Sequence, residues 1–314
     1  MINFFKNILK NQPAMNIENI VGRRAFIRNY FIDKKLNDRI KTNGYVVLEN
    51  VVSDDALLFL KKAYEDLCVI PGYAIDKKFQ NSGRFQSAEI RKFVMENISI
   101  FSREFLPNIF DEKVFDVNTT GAFQIKPPSK VSELNPHQDA PVIDETKENA
   151  LFVWIPLCDI DENNGAISVL PGSHQWGNFQ RSLNVQWCFE KNTKILWQNM
   201  QPLYLKKGDI VVWDTALIHA SAPNFSANTR VAITTTLLPK NYVMIDYYKD
   251  KNIPDDKVEK YEVEKSFWAQ ENIMRRPPCP PNKFLGLEEM VFPHDVSKKD
   301  ILALIAYSKK STDV

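Results

Sequence analysis

Histidine is scarce in this chain, with four among 314 residues. Cysteine is as rare, and Cys68, Cys158, Cys188 and Cys279 lie far apart with no C-x-x-C pair. That argues against a disulfide framework and reads as free thiols in a reducing compartment, expected to be the cytoplasm. No apolar run approaches the roughly 18 residues needed for a membrane span. The opening MINFFKNILKNQPAM has two lysines and no sustained apolar stretch, so a signal peptide is not expected. An excess of one charge is missing too. Forty basic residues face 39 acidic ones, and this balance gives no reason to expect nucleic acid or an anionic membrane as partner. There is no internal repeat and no low-complexity tract, and the sequence sets no oligomeric state.

What is present is average for a globular protein: 44% hydrophobic and 25% charged residues, in a length ample for a buried core. Residues 1 to about 40 read as a polar helical segment. GYVVLENVV (44–52) is a β-rich run. The stretch after it has Ser53 as candidate N-cap, Asp54 and Asp55 in the first turn, and Leu57, Leu60, Tyr64 and Leu67 at helical spacing. A second helix is expected over 88–110. From about 115 to 240 the chain turns to short β-rich runs such as GAFQIKP, ALFVWIPL and RVAITTTLLP, separated by breaks such as DENNG and PGSH. This predicts a mainly β fold with flanking helices, in which a helical N-terminal layer packs on an all-β barrel. The expected organisation is one catalytic domain, with a helical segment at 1–40, a core at 41–240 and an extension at 241–314. In that extension DILALIAYSKK is expected to be a helix.

NPHQDAP (135–141) places His137 two residues before Asp139. Alone this is weak, since 39 acidic residues in 314 give any histidine about a one-in-eight chance of such a neighbour. On an extended segment, however, side chains at i and i+2 point the same way, so the two can ligate one metal. A third ligand must come from elsewhere. His174 sits in the turn LPGSHQWG, where a loop hydrogen-bonding role is expected, and His294 lies in the tail and is expected to be structural or solvent-facing. His219 ends a β-rich run and can be presented rigidly. Two histidines and one carboxylate with open positions form the facial triad of non-haem Fe(II) oxygenases. Arg230 begins the next β-rich run, and its planar guanidinium suits two-point binding of a carboxylate. Ser221 shares the face of His219 if the strand continues, and can add a hydroxyl hydrogen bond.

Five segments in order resemble the phytanoyl-CoA dioxygenase family of Fe(II)/2-oxoglutarate oxygenases. They are GYVVLENVVSDDALLFLKKAYEDL, IKPP, HQD, FVWIPLCDIDENNGAISVLPGSH and GDIVVWDTALIHASAPNFSANTRVAITTT, covering about residues 40–240. The resemblance implies a double-stranded β-helix of the jelly-roll or cupin type. It implies Fe(II) bound by His137, Asp139 and His219, which would then be the catalytic centre. It also implies 2-oxoglutarate bound by Arg230 and Ser221, with Trp154 lining the cosubstrate pocket and Gln124 a further candidate there. O2 would be consumed and succinate and CO2 released, with hydroxylation or another C–H abstraction outcome on a small-molecule substrate. Related halogenases have Ala or Gly where Asp139 stands, so its carboxylate favours hydroxylation over halogenation. Lys126, on the same side as Gln124, is expected to meet cosubstrate or an anionic substrate, or else to be solvated before Pro-Pro. Arg84, in the polar stretch 71–87, is a candidate substrate contact on a lid or surface loop. Trp176, Phe179, Trp187 and Trp197 either line a substrate mouth or cover the outside of the barrel. Two other readings stay open: a non-catalytic β-barrel scaffold, and a hydrolase or isomerase using the same triad with zinc, which would leave Arg230 and Ser221 without a role.

Overall fold

The computed structural model describes residues 28–312 apart from 84–85, 112, 118–120, 178, 269–273 and 293–294. Arg84, His294 and most of the expected N-terminal helical segment lie outside the described residues. The chain runs α1 (Lys34–Asn43), β1 (Tyr45–Leu48), α2 (Asp54–Cys68), β2 (Gln80–Asn81) and α3 (Ala88–Phe105). Then follow β3 (Phe115–Val117), β4 (Ala122–Lys126), β5 (Leu134–His137), β6 (Leu151–Pro156), β7 (Ile167–Val169) and α4 (Thr193–Trp197). The remaining core strands are β8 (Gln201–Leu203), β9 (Ile210–Asp214), β10 (His219–Ser221) and β11 (Arg230–Pro239). The C-terminal part holds β12 (Ile245–Tyr248), β13 (Lys257–Glu262), α5 (Lys265–Trp268), β14 (Lys283–Glu289) and α6 (Lys298–Ser311).

The expected cap of α2 forms. Ser53 accepts from the backbone N–H of Ala56, and Asp54 and Asp55 occupy the first turn of α2, where the helix dipole favours negative charge. Leu60 and Leu67 are buried, and Ser87 caps α3 in the same way.

Alternation along the strands sets the layers. The major sheet has strand order β1-β9-β6-β11-β4-β2, with β3 added beside β11. On one face Phe123, Val153, Ile155, Val212 and Ile233 join Leu60, Leu67, Val94 and Phe101 of α2 and α3 in the main core. The intervening residues Trp154, Val211, Trp213 and Ala232 belong to a second apolar cluster with Ile167 and Val169 of β7, on the opposite face. That face meets the minor sheet, β5-β10-β7-β8, and all the pairings are antiparallel. The mainly β fold with a helical layer is as expected. The barrel consists of two facing sheets, and among the described residues no continuous ring of hydrogen bonds closes it.

The extension holds more than its expected helix. Strands β12, β13 and β14 form a third antiparallel sheet, which charged runs such as KVEKYE conceal from an apolar-pattern reading. Helix α6 packs Ile301, Leu304 and Ile305 into a cluster with Trp176, Phe189 and Leu196, and the Trp176 indole N–H donates to Ser308 Oγ at 2.7 Å. Among the described residues no helix is long and apolar enough to cross a membrane. All four cysteines are free thiols, as expected.

Two glycines are required by close approach. Gly44 ends α1 at φ +81°, and a Cβ there would lie 2.4 Å from the His174 ring. That ring hydrogen-bonds the Lys41 carbonyl at 3.0 Å, the loop role expected for His174. Gly165, the glycine of DENNG, sits at φ +84° with a Cβ position 2.8 Å from the Ala222 carbonyl and 2.4 Å from Lys126 Cδ. Gly165→Ala forces both a left-handed alanine and a backbone clash, costing roughly 1–3 kcal/mol for the conformation alone. A fall of about 3–8 °C in the thermal unfolding midpoint is expected, and an unchanged midpoint would show that the loop relaxes freely.

Candidate active site

His137 ends β5 and His219 begins β10, and the two are direct partners in the antiparallel pairing of those strands. Their ring centroids are therefore 4.2 Å apart. Asp139 follows just beyond β5, with Oδ2 3.6 Å from Nε2 of His219. One donor atom from each of the three lies within 4.8 Å of the others, the one cluster of this kind among the described residues.

The backbone orients both rings. Nδ1 of His137 lies 2.8 Å from the Asn135 carbonyl, and Nδ1 of His219 lies 3.0 Å from the Leu217 carbonyl. A carbonyl only accepts, so each Nδ1 carries the hydrogen and, in the neutral ring, each Nε2 carries the lone pair. This is the tautomer a metal needs, with the second nitrogen steadied from behind. The donor set of two imidazoles and one carboxylate fits Fe(II).

Asp139 is held by residues that no local motif marks. The Trp213 indole N–H donates to its Oδ2 at 3.3 Å. Arg181 Nε donates to its backbone carbonyl at 2.9 Å, while Arg181 Nη2 donates to both carboxylate oxygens of buried Glu145, also at 2.9 Å. Thr215 donates to the same carboxylate at 2.8 Å. These contacts bridge 36 to 74 sequence positions, so only folding brings them together.

Arg230 opens β11 and is fully buried, yet no described residue accepts a hydrogen bond from any of its three side-chain nitrogens. Its guanidinium carbon lies 5.3 Å from the centroid of a Trp154 ring, a cation–π contact that offers no acceptor. Burial lowers its pKa to about 10, which still leaves the cation charged near neutrality. A buried unpaired charge costs on the order of 3–5 kcal/mol, so the position calls for an anion. Arg230 and Ser221 line a small cavity of about 30 Å³ together with His137, Asp139, His219 and Gln124. The guanidinium and the metal cluster thus face one shared cavity. Phe152 and Trp213, stacked at 5.9 Å, also line this space and were not anticipated from the sequence. Trp154 stands behind it: its indole N–H donates to Oε1 of Gln124 at 3.0 Å, so it orients Gln124 and covers Arg230 without lining the cavity itself.

Lys126 departs from both of its expected roles. It is fully buried, and Nζ donates to the carbonyls of Ser132, Ser221 and Ala222 at 2.8, 3.2 and 2.6 Å. Burial and nearby Arg230 push its pKa down to about 6, but three carbonyls match the three N–H bonds of the ammonium one for one, and we assign that form. The Lys126 ammonium is taken up by the backbone and ties β4 to the end of β10. Of the four aromatics, Phe179 and Trp187 line a cavity beside His137, whereas Trp176 is buried against α6 and Trp197 is half-buried.

The site is thus a two-histidine, one-carboxylate cluster beside an anion-seeking guanidinium, held between two β-sheets. The sequence profile of the phytanoyl-CoA dioxygenase (PhyH) family matches residues 40–232. The chain is 27% identical over 256 residues to the peroxisomal phytanoyl-CoA dioxygenase of Bos taurus, covering 69% of this chain and 72% of the bovine one. It is 28% identical over 221 residues to the enzyme of Mus musculus, covering 61% of this chain and 64% of the mouse one, just under two thirds of its length. Among solved structures, the non-haem alpha-ketoglutarate-dependent carbocyclase SnoK from nogalamycin biosynthesis aligns with a TM-score of 0.49 at 18% identity, over 68% of this chain and 86% of that one. The chain belongs to the phytanoyl-CoA dioxygenase family, whose members are iron- and 2-oxoglutarate-dependent oxygenases.

Lys126→Met keeps the bulk and removes the donors, leaving three carbonyls unsatisfied. A stability loss of about 2–3 kcal/mol is expected, with the denaturant midpoint lowered and its slope unchanged. Full stability in this variant would refute the structural role assigned to the ammonium.

Proposed function

We propose that this protein is an Fe(II)/2-oxoglutarate-dependent oxygenase that hydroxylates, or otherwise oxidises by C–H abstraction, a small or medium organic substrate. The observation that carries this reading is the pairing of the His137–Asp139–His219 cluster with the buried, unpartnered guanidinium of Arg230. A zinc hydrolase or isomerase has no use for that guanidinium, and a scaffold has no use for either feature.

When bound, Fe(II) and 2-oxoglutarate supply the oxidation, in which O2 is consumed, succinate and CO2 are released, and a substrate C–H bond is oxidised. The chain's own residues do the rest. His137 and His219 offer Nε2 lone pairs because their Nδ1–H groups are held by carbonyls. Asp139 offers a carboxylate steadied by Trp213 and, through its backbone, by Arg181. Arg230 would hold the distal carboxylate of 2-oxoglutarate, in a buried site where the charge counts for most. The Ser221 hydroxyl adds a hydrogen bond to the same group, and Gln124 offers its amide, held in place by Trp154. Phe152 and Ile167 give this cavity apolar walls.

The bovine and mouse relatives are named for phytanoyl-CoA; the substrate proposed for this chain is a small or medium organic molecule. Residues 28–312 are read as one catalytic unit, because the C-terminal elements pack onto the core through Trp176 and Phe189. The free thiols support a reducing, cytoplasmic setting.

The test is anaerobic addition of Fe(II) and 2-oxoglutarate, followed by visible charge-transfer absorption. The band is expected in the wild type and lost in His219→Ala. In Arg230→Ala the band should persist at high 2-oxoglutarate, with half-saturation raised about 10- to 100-fold, the loss of hydrogen bonds to a charged group. Unchanged half-saturation would remove Arg230 from the cosubstrate site, and absence of the band in the wild type would overturn the oxygenase assignment.

A further inference from the structure

Beside His137 lies a second cavity of about 240 Å³, which Arg230 does not line. Its near end is His137 and Gln138. One wall comes from the segment 179–188, through Phe179, Leu183, Val185 and Trp187. The other comes from Met290 and Phe292, about 60 positions beyond the last residue matched by the family profile at 232.

The two walls are joined before any ligand arrives. Phe179 and Phe292 pack with ring centroids 4.8 Å apart. Gln180 bonds the strand end in both directions, donating to the Glu289 carbonyl at 3.0 Å and accepting from the Val291 N–H at 3.1 Å. The Val296 N–H donates to the Cys188 carbonyl at 2.9 Å, and Asn192 donates to the Val296 carbonyl at 2.9 Å. Lys191 and Asp295 form an ion pair alongside. Val185 shares a buried cluster with Ile245, Tyr247 and Val258 of the third sheet, with Met290 packed against it.

Gln186, on the chamber's lining, is exposed to solvent; the other polar amide and hydroxyl side chains around it have hydrogen-bond partners within the protein. Gln138 donates to the Ala216 carbonyl and accepts from the Trp187 indole N–H. Gln180 is engaged as above, and Ser182 donates to Asn184. Arg181 is the one charged side chain among the described lining residues, and its charge is met by Glu145. Little polar capacity is left to hold a charged group, whereas aromatic and aliphatic surface is plentiful.

We propose that the C-terminal extension is a specificity element: Met290 and Phe292 close a substrate chamber that receives an uncharged, apolar part of the substrate next to the iron ligand His137. The word substrate rests on the oxygenase reading; the chamber's preference for uncharged apolar ligands does not.

The experiment uses the full chain loaded with Fe(II) and 2-oxoglutarate without oxygen. Two fluorescent probes that differ by one sulfonate are titrated, neutral N-phenyl-1-naphthylamine and anionic 8-anilino-1-naphthalenesulfonate. The neutral probe is expected to bind at least about tenfold tighter. Phe292→Trp and, separately, Met290→Trp fill the chamber and are each expected to weaken the neutral probe at least about tenfold, with the charge-transfer band and unfolding midpoint retained. Binding of the neutral probe that is undetectable, no tighter than that of the sulfonate, or unchanged in both variants overturns the proposal. A missing band with the expected probe behaviour sinks the oxygenase reading and leaves the apolar chamber standing, so the two failures are distinguishable.

Discussion

The antiparallel pairing of β5 with β10 is the constraint on which the site depends. It makes His137 and His219 direct neighbours across two strands that belong to distant parts of the sequence. Side chains on a strand alternate with a period of two, so a slip of one residue in either strand would turn one imidazole away. The register is protected from outside the site. The helix-facing side of the major sheet buries Phe123, Val153, Ile155, Val212 and Ile233 against α2 and α3. Each such side chain contributes roughly 1.5–3 kcal/mol, and their parity dictates which residues face inward. Gln124, Phe152, Trp154, Trp213 and Arg230 reach the inner face because their neighbours are held on the outer one.

Electrostatics then separates two buried cations that share the same strand pair. Lys126 and Arg230 are partners in the β4–β11 register, and both are fully buried. Lys126 meets three carbonyls and is satisfied within the protein. Arg230 meets the face of an indole and no acceptor among the described residues. Like charges this close disfavour each other, an arrangement the fold tolerates because a large apolar core offsets it. The satisfied cation reads as structure and the unsatisfied one as a place for an anion.

The outer parts of the chain are joined to this centre. The extension brings a small sheet and α6 against the segment 179–192, and that contact shapes the space beside His137. A family profile that ends at residue 232 describes the reaction centre and leaves out one wall of the neighbouring cavity.

Much of this was legible in the residues themselves. The cap Ser53, the helical spacing of Leu60 and Leu67, and the strand-rich middle are local patterns, because capping and amphipathicity act within a few positions. The triad and Arg230 were legible as an ordered set of motifs. The bracing of Asp139 by Arg181, Glu145 and Trp213 was not, nor was the inward burial of Lys126, because those partners, Ser132 excepted, lie 36 to 96 positions apart and carry no mutual signal along the chain. The third sheet escaped notice because its strands are charged on their exposed faces. By itself the sequence determined which chemistry is available: two imidazoles, a carboxylate and a guanidinium presented on β-strands. Only the tertiary structure decided which donors are already occupied and what walls the cavity beyond His137, because hydrogen-bond satisfaction and burial are properties of neighbours in space.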